Sequence, residues 1–127
     1  MSFRVKYSFP SGKFYLNFKT VIITGLYRSG KTTLGNLLAT NQNAEHSEEP
    51  WVLDVLPVLT KLGAIDKALG KEMFVAHLHE LMNDTVLLRK SNFRPGDASS
   101  IWTKKSPEEI FSRLVNFKTR SDVADFV

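Results

Sequence analysis

Hydrophobic and polar residues alternate in two short segments near the beginning of the chain. The first segment covers residues 3–9 and the second covers residues 14–18, and the Pro-Ser-Gly-Lys sequence between them is typical of a turn. A period of two places alternate side chains on the same face of a strand. We therefore expect a β-hairpin within residues 1–19.

A strand, a glycine-containing loop and a helix are predicted directly after this hairpin. Residues 21–24 are short, β-branched and continuously apolar up to Thr24, which is typical of a parallel strand buried on both faces. Residues 25–30 begin and end with glycine and predict a loop. The apolar spacing of residues 31–39 predicts a helix that follows this loop without a gap.

The middle of the chain has mainly helical spacing. Pro50 can open a helix, with Pro57 as a kink or break and Gly63 as the signal that ends it. A second helix is expected over residues 65–82. Residues 84–88 predict a short strand or an extended segment.

The clearest helix start lies at Ser106, where Ser, Pro, Glu and Glu follow one another. Ser106 is a favourable N-cap, proline suits the first helical position, and Glu109 can complete a capping box. This pattern predicts a helix that runs to about Phe117.

Together these elements predict an α/β fold, with a parallel sheet, flanking helices and an N-terminal β-hairpin. Only one parallel strand is identifiable, whereas an open α/β sheet needs several. We therefore expect a single domain over residues 1–127 that is truncated at its C-terminus. The hairpin would occupy residues 1–19, and the core and helical region would occupy residues 20–127. A small complete domain is the alternative.

Composition narrows the class of protein without naming a function. The 127 residues are 43% hydrophobic and 24% charged, which is ordinary for a globular protein and argues against a disordered or collagen-like chain. Cysteine is absent, so disulfides, thiolate metal sites and cysteine nucleophiles are excluded. No apolar run approaches the ~18 residues of a membrane span. We expect a cytoplasmic protein without a membrane span.

The positive charge is concentrated in the first third of the chain. Residues 1–44 contain six basic side chains and no acidic one, so the other residues hold 17 − 6 = 11 basic and 13 acidic side chains. The charge predicts an anionic partner near the first third, and a solvated basic face is the alternative that charge alone leaves open. Aromatic residues also occur there, but their alternation places most rings toward a core, so we expect no nucleic-acid partner.

One segment carries a specific chemical signature. Residues 25–32 match the pattern G-x-x-x-x-G-K-[ST] at every fixed position. In such a loop the backbone N–H groups point inward, and the first turn of the next helix adds unpaired donors. Lys31 can bring its charge to the transferred group. Thr32 adds a hydroxyl, and Arg28 adds a second cation within the loop. The segment therefore predicts a phosphate-binding site. Because a predicted strand precedes it and a predicted helix follows it, we expect the parallel sheet to be P-loop NTPase-like, with the P-loop core and helical region over residues 20–127.

This segment resembles the 5′-phosphosulfate loop of P-loop sulfotransferases, in which a basic residue precedes Ser-Gly-Thr-Thr. Arg28, Ser29 and Gly30 match that pattern, whereas Lys31 stands where most members have threonine. The resemblance implies that the cofactor is 3′-phosphoadenosine 5′-phosphosulfate, which needs no metal in this family. The residues that it implies for cofactor binding are Gly25, Arg28, Ser29, Gly30, Lys31, Thr32 and Thr33.

Two later segments are similar to the same family. Glu49 stands before Pro50, after a polar loop, where several sulfotransferase groups have a catalytic glutamate, and residues 92–100 resemble a segment of bacterial members. The resemblance implies sulfuryl transfer to a hydroxyl acceptor, either a small molecule or a glycan. Lys31 would stabilise the bridging oxygen, and Glu49 would take the proton of the acceptor. A plain helix-start role for Glu49 is equally open.

Two other functions stay open. Because Lys31 departs from the sulfotransferase pattern, the chain could be a P-loop kinase or ATPase that binds ATP with Mg²⁺ through Thr32. The best acidic partner for that magnesium is Asp54, but its helical surroundings favour a helix-surface carboxylate. A non-catalytic nucleotide-binding fragment is the third function. We expect no metal site at His77 and His79, because they point in different directions on a helix.

Overall fold

The computed structural model describes residues 18–41, 43–47 and 50–126, and its regular structure there is helical. Two short 3₁₀ helices, Ser91–Phe93 and Ile101–Thr103, lie between the third and fourth α-helices. The α-helices are α1 (Lys31–Leu38), α2 (Val52–Lys61), α3 (Lys67–Val86), α4 (Pro107–Asn116) and α5 (Arg120–Phe126). Within the described ranges, no helix combines the length and apolar character needed to cross a bilayer.

The predicted α/β fold with a P-loop NTPase-like parallel sheet is wrong. None of the described residues forms a strand. Residues 21–24 are outside regular structure, and Val21 and Ile22 are 75% and 53% exposed. A strand needs a neighbour for its N–H and C=O groups, and the described chain supplies none. The predicted β-hairpin falls mostly on residues 1–17, which lie outside the described residues.

Side-chain caps fix where three of the helices begin. The Asp66 carboxylate accepts from the N–H of Leu69 at 2.8 Å, and the Ser106 hydroxyl accepts from the N–H of Glu109 at 3.2 Å. The Ser106 helix start is therefore confirmed. Before α5, Asp122 accepts from the N–H of Thr119 at 2.7 Å, and Thr119 accepts from the N–H of Asp122 at 3.4 Å, forming a reciprocal capping box.

Two helices end with the same hydrogen-bond pattern but different residues. Gly63, at φ 70°, ends α2 as predicted from the sequence. Leu88, at φ 58°, takes the equivalent position after α3, and the N–H of Arg89 reaches the carbonyl of Asp84 at 2.8 Å. The predicted strand or extended segment at residues 84–88 is wrong, because α3 continues through Val86.

Helices α2 and α3 pair along their length. Trp51, just before α2, lies against His77 in α3, and Thr60 lies against Gly70, so the two helices run antiparallel. A Cβ at Gly70 would lie 3.0 Å from the Thr60 hydroxyl oxygen, so glycine permits this close approach. Pro57 lies inside α2 without breaking it, which corrects the expectation of a break.

Five of the buried apolar side chains in the described part of the chain form two small clusters. Val86 and Val123 pack α3 against α5, with half-buried rings around them that include Phe18. Leu88, Ile101 and Ile110 join the end of α3 to the second 3₁₀ helix and α4. These clusters link the elements that follow α2, whereas α1 contributes to neither of them.

Buried charges attach the polar segment 43–47 to α4. The Nη2 atom of Arg113 donates to the Oε1 of Glu45 at 2.5 Å and to the Oε1 of Glu109 at 2.6 Å. The Lys105 ammonium donates to the carbonyls of Asn41 at 2.7 Å and Ala44 at 3.0 Å, and lies 3.7 Å from Glu45. The side chains of Lys105 and Arg113 are only 2% and 1% exposed. The two carboxylates balance the two cations, so the cluster has no net formal charge.

Arg113 keeps its charge in this cluster. Burial alone would lower the pKa of Arg113, but the hydrogen bonds and charges of Glu45 and Glu109 outweigh burial and raise it. The Nε and Nη1 of Arg113 have no hydrogen-bond partner, and the Phe126 ring lies 5.3 Å from its guanidinium. The cation is therefore held by two carboxylates on one side and an aromatic ring on another.

Arg113→Met should lower the free energy of unfolding by about 3 kcal/mol, because it leaves Glu45 buried with weaker compensation. Denaturant unfolding followed by circular dichroism measures this loss. The matched control is Arg120→Met, which removes an ion pair with Glu80 whose side chains are 52% and 49% exposed. That control should cost less than about 1 kcal/mol. If the two variants lose the same free energy of unfolding, the buried Arg113 ion pairs stabilise the protein no more than the exposed Arg120 pair does.

Candidate functional site

The glycine-containing loop leads directly into α1. Gly30 is the N-cap of α1 and adopts a left-handed conformation at φ 82°. Arg28 is also left-handed, at φ 60°, which is uncommon for a residue with a side chain. The N–H of Ser29 donates to the carbonyl of Leu26 at 3.2 Å, which closes the turn between them. The loop therefore combines a closed turn with two left-handed residues.

Lys31 ties the end of the loop to its beginning. Its ammonium donates to the carbonyl of Gly25 at 2.8 Å, across six positions of the chain. At Gly25, a Cβ would lie 2.8 Å from the Ser29 hydroxyl oxygen, so a larger residue would require the Ser29 side chain to move. The Lys31 side chain thus lies against the loop whose anionic ligand it would bind.

The first turn of α1 presents unpaired donors. Gly30 has no side chain to cap the helix, and no side-chain cap is present. The N–H groups of Lys31, Thr32 and Thr33 therefore have no acceptor within the helix. The two nearby cations are Lys31 itself and Arg28, whose guanidinium lies 5.7 Å over the exposed Tyr27 ring. Such an arrangement attracts anions, phosphate groups in particular.

The structure places the predicted cofactor-binding residues on one exposed surface. Lys31 is half-buried, whereas the others are exposed: Gly25, Arg28, Ser29, Gly30, Thr32 and Thr33. The side chains of Leu26 and Tyr27 are 85% and 88% exposed, so they form no wall around the loop. Asp54, the candidate magnesium partner, is exposed in the first turn of α2, as expected for a helix-surface carboxylate. The predicted base, Glu49, lies outside the described residues.

His46 connects α1 to the rest of the molecule. Its Nε2 occupies the space beside Gly35, because a Cβ there would lie only 2.5 Å away. Its Nδ1 lies 3.3 Å from the ammonium of Lys104. Burial first, and the Lys104 charge second, lower the pKa of His46. The imidazole is therefore neutral at pH 7, and it packs between α1 and the segment before α4.

A cavity of about 320 Å³ lies on the other side of His46. Its lining comes from residues 46–47, from residues 50–51 just before α2, from one side of α3 and from residues 90–99. Ser47 and Pro50, which enclose Glu48 and Glu49 in the sequence, both contribute to it. Burial and the charge of Lys90 lower the pKa of His77, a lining residue in α3. The cavity thus has polar walls that include neutral imidazoles.

Sequence reasoning missed most of this cavity. His77 was considered only as a metal ligand, and Lys90 carried no motif at all. Asn92 and Ser99 belong to the segment 92–100 that resembles bacterial sulfotransferases, and both line the cavity. The pattern of residues 92–100 was the sequence signal available for this part of the cavity. Its proximity to α3 arises from folding and could not be predicted from that pattern.

The histidines should make stability depend on pH between about 7 and 5. Burial is the largest cause that lowers the pKa of His46, His77 and His79 from the ordinary value of 6.5. The unfolded chain therefore binds protons before the folded chain does, and the free energy of unfolding should fall as the pH drops below 6.5. Denaturant unfolding at pH 7.5, 6.5 and 5.5 measures this. The His46→Gln/His77→Gln double variant should show a flatter dependence, and an unchanged slope would contradict the assignment.

Comparisons of this chain with models of protein families, with curated proteins and with solved structures find no match. The functional argument therefore rests on two local features of the chain itself. One is the loop at residues 25–30 with the first turn of α1, and the other is the polar cavity beside His46.

Proposed function

We propose that residues 25–33 bind the phosphate groups of a nucleotide. The observation that carries this proposal is the N-terminus of α1, where Gly30 provides no side-chain cap and the first three N–H groups have no acceptor within the helix, beside Arg28 and Lys31. Residues 25–33 contain these two cations and no carboxylate. The proposal uses this local geometry alone and requires no parallel sheet.

We propose further that the nucleotide is 3′-phosphoadenosine 5′-phosphosulfate and that the chain is sulfotransferase-like. The N–H groups of α1 and the two cations suit its 5′-phosphosulfate. The sequence resemblance at Arg28, Ser29 and Gly30 supports the same donor. A partner for its 3′-phosphate is not evident among the described residues.

The residues then have separate tasks in the transfer. The bound donor supplies a sulfur that is joined to its phosphate through a bridging oxygen. The N–H groups of Lys31, Thr32 and Thr33 would hold the phosphate, and the Lys31 ammonium would leave Gly25 to neutralise the bridging oxygen as its bond to sulfur breaks. The acceptor oxygen forms the new bond to sulfur, and Glu49 takes its proton. The products are the sulfated acceptor and adenosine 3′,5′-bisphosphate.

Lys31→Ala should weaken the binding of adenosine 3′,5′-bisphosphate at least tenfold. A hydrogen bond to a charged group contributes about 1.5–3 kcal/mol, and ~1.4 kcal/mol corresponds to a factor of ten. Calorimetric titration without metal measures the affinity. Lys19→Ala is the matched control, because Lys19 is another exposed lysine of the basic first third. The Lys19→Ala variant should bind adenosine 3′,5′-bisphosphate with the affinity of the unaltered chain.

The same titrations decide between the donors. Metal-dependent preference for ATP with Mg²⁺ would overturn the phosphosulfate assignment and support a kinase or ATPase. Failure of the unaltered chain to bind either nucleotide would overturn the proposal that residues 25–33 bind phosphate.

Glu49→Gln should lower the rate of sulfuryl transfer roughly a hundredfold or more, because it removes the group that takes the proton. The affinity for adenosine 3′,5′-bisphosphate should stay the same. The rate is measured as release of this bisphosphate from the donor with phenol and sugar acceptors, and Glu48→Gln serves as the control. A Glu49→Gln variant that transfers at the unaltered rate would exclude Glu49 as the base.

A further inference from the structure

The cavity beside His46 has a chemical character that the phosphate loop does not explain. Its volume of about 320 Å³ lies at the lower end of the range of ~300–1,000 Å³ for small-molecule sites. It is lined by distant parts of the sequence, since residues 46–47, residues 50–51, α3 and residues 90–99 all contribute. A site assembled in this way suits a ligand smaller than a nucleotide.

The charge of the lining is positive. Lys90 contributes an ammonium, and no aspartate or glutamate occurs among the described lining residues. In the described part of the chain, Lys90 forms no ion pair. The ammonium of Lys104, which is not a lining residue, lies 3.3 Å from the Nδ1 of His46. An anionic group on the ligand would therefore meet the Lys90 ammonium without competing with a carboxylate among the described lining residues.

An aromatic surface stands beside that charge. The Trp51 side chain is 63% exposed although it lines the cavity, so part of its indole is open to a ligand. The His77 ring meets the Trp51 ring edge-on, with 6.2 Å between their centroids. His77 thus fixes the indole while one face remains available for stacking.

Two polar atoms in this lining lack partners. Asn92 is only 5% exposed, and among the described residues neither its Oδ1 nor the buried Nε2 of His77 has a hydrogen-bond partner. A buried polar atom without a partner costs about 1–3 kcal/mol. Since Asn92 Oδ1 accepts hydrogen bonds, a ligand hydroxyl would satisfy it after a small movement of the side chain.

We propose that this cavity binds a small planar aromatic carboxylate that carries a hydroxyl group. The carboxylate pairs with Lys90, the ring stacks on Trp51, and the hydroxyl donates to Asn92. The proposal does not depend on phosphate binding by residues 25–33.

The probe is 4-hydroxybenzoate, titrated into the full chain by calorimetry and by tryptophan fluorescence. Lys90→Gln should weaken the binding of 4-hydroxybenzoate at least tenfold. Lys71→Gln, which removes an exposed lysine of α3, should leave that binding unchanged. Trp51→Phe should abolish the ligand-induced change in fluorescence, because the only other tryptophan is Trp102. Both substituted groups, at Trp51 and Lys71, are exposed, so these variants should fold.

Three results would overturn the proposal. One is that Lys90→Gln does not weaken the binding of 4-hydroxybenzoate, either because it binds as tightly as the unaltered chain or because neither chain binds the probe. Another is that 4-hydroxybenzyl alcohol, which lacks the carboxylate, binds as tightly. The third is that adenosine 3′,5′-bisphosphate displaces the probe, which would make the cavity part of the nucleotide site. Lys31→Ala should still bind the probe, so failure of the phosphate proposal and failure of this one are distinguishable.

Discussion

The arrangement of the molecule depends on a charge cluster that is almost closed to water. Arg113 binds the carboxylates of Glu45 and Glu109, and Lys105 adds its own hydrogen bonds to the backbone of the polar segment. Such a cluster stabilises only when geometry and partners are good, since removing charges from water is costly. Here it substitutes for apolar packing, because the segment 43–47 has no large hydrophobic residue to anchor it.

Both candidate sites follow from the position of that segment. Glu45 holds it on α4, and the next residue, His46, is thereby placed between Gly35 of α1 and the polar cavity. The hydrophobic clusters contain no residue of α1, so His46 is a main contact between that helix and the later elements. Helix α1, which follows the glycine-containing loop, and the cavity are thus linked through one imidazole.

Local signals in the sequence predicted the helices better than the fold. Ser106 and Gly63 act within one turn of chain, so their roles could be predicted. Residues 21–24 have the composition of a buried strand, but burial needs partner strands that composition cannot supply. The Thr119 capping box was present as a local pattern and was overlooked, whereas the place of Lys90 in the cavity depends on contacts between distant segments.

The shortness of α1 has a consequence for its dynamics. A helix of eight residues is below the ~12–15 residues at which isolated helices become even marginally stable in water. Its leucines at 34, 37 and 38 are largely exposed, so tertiary packing adds little. Opening of α1 should therefore be among the least costly local unfolding events in the protein. An anion that binds its first turn would select the closed helix, so occupancy and helix order become one coupled equilibrium.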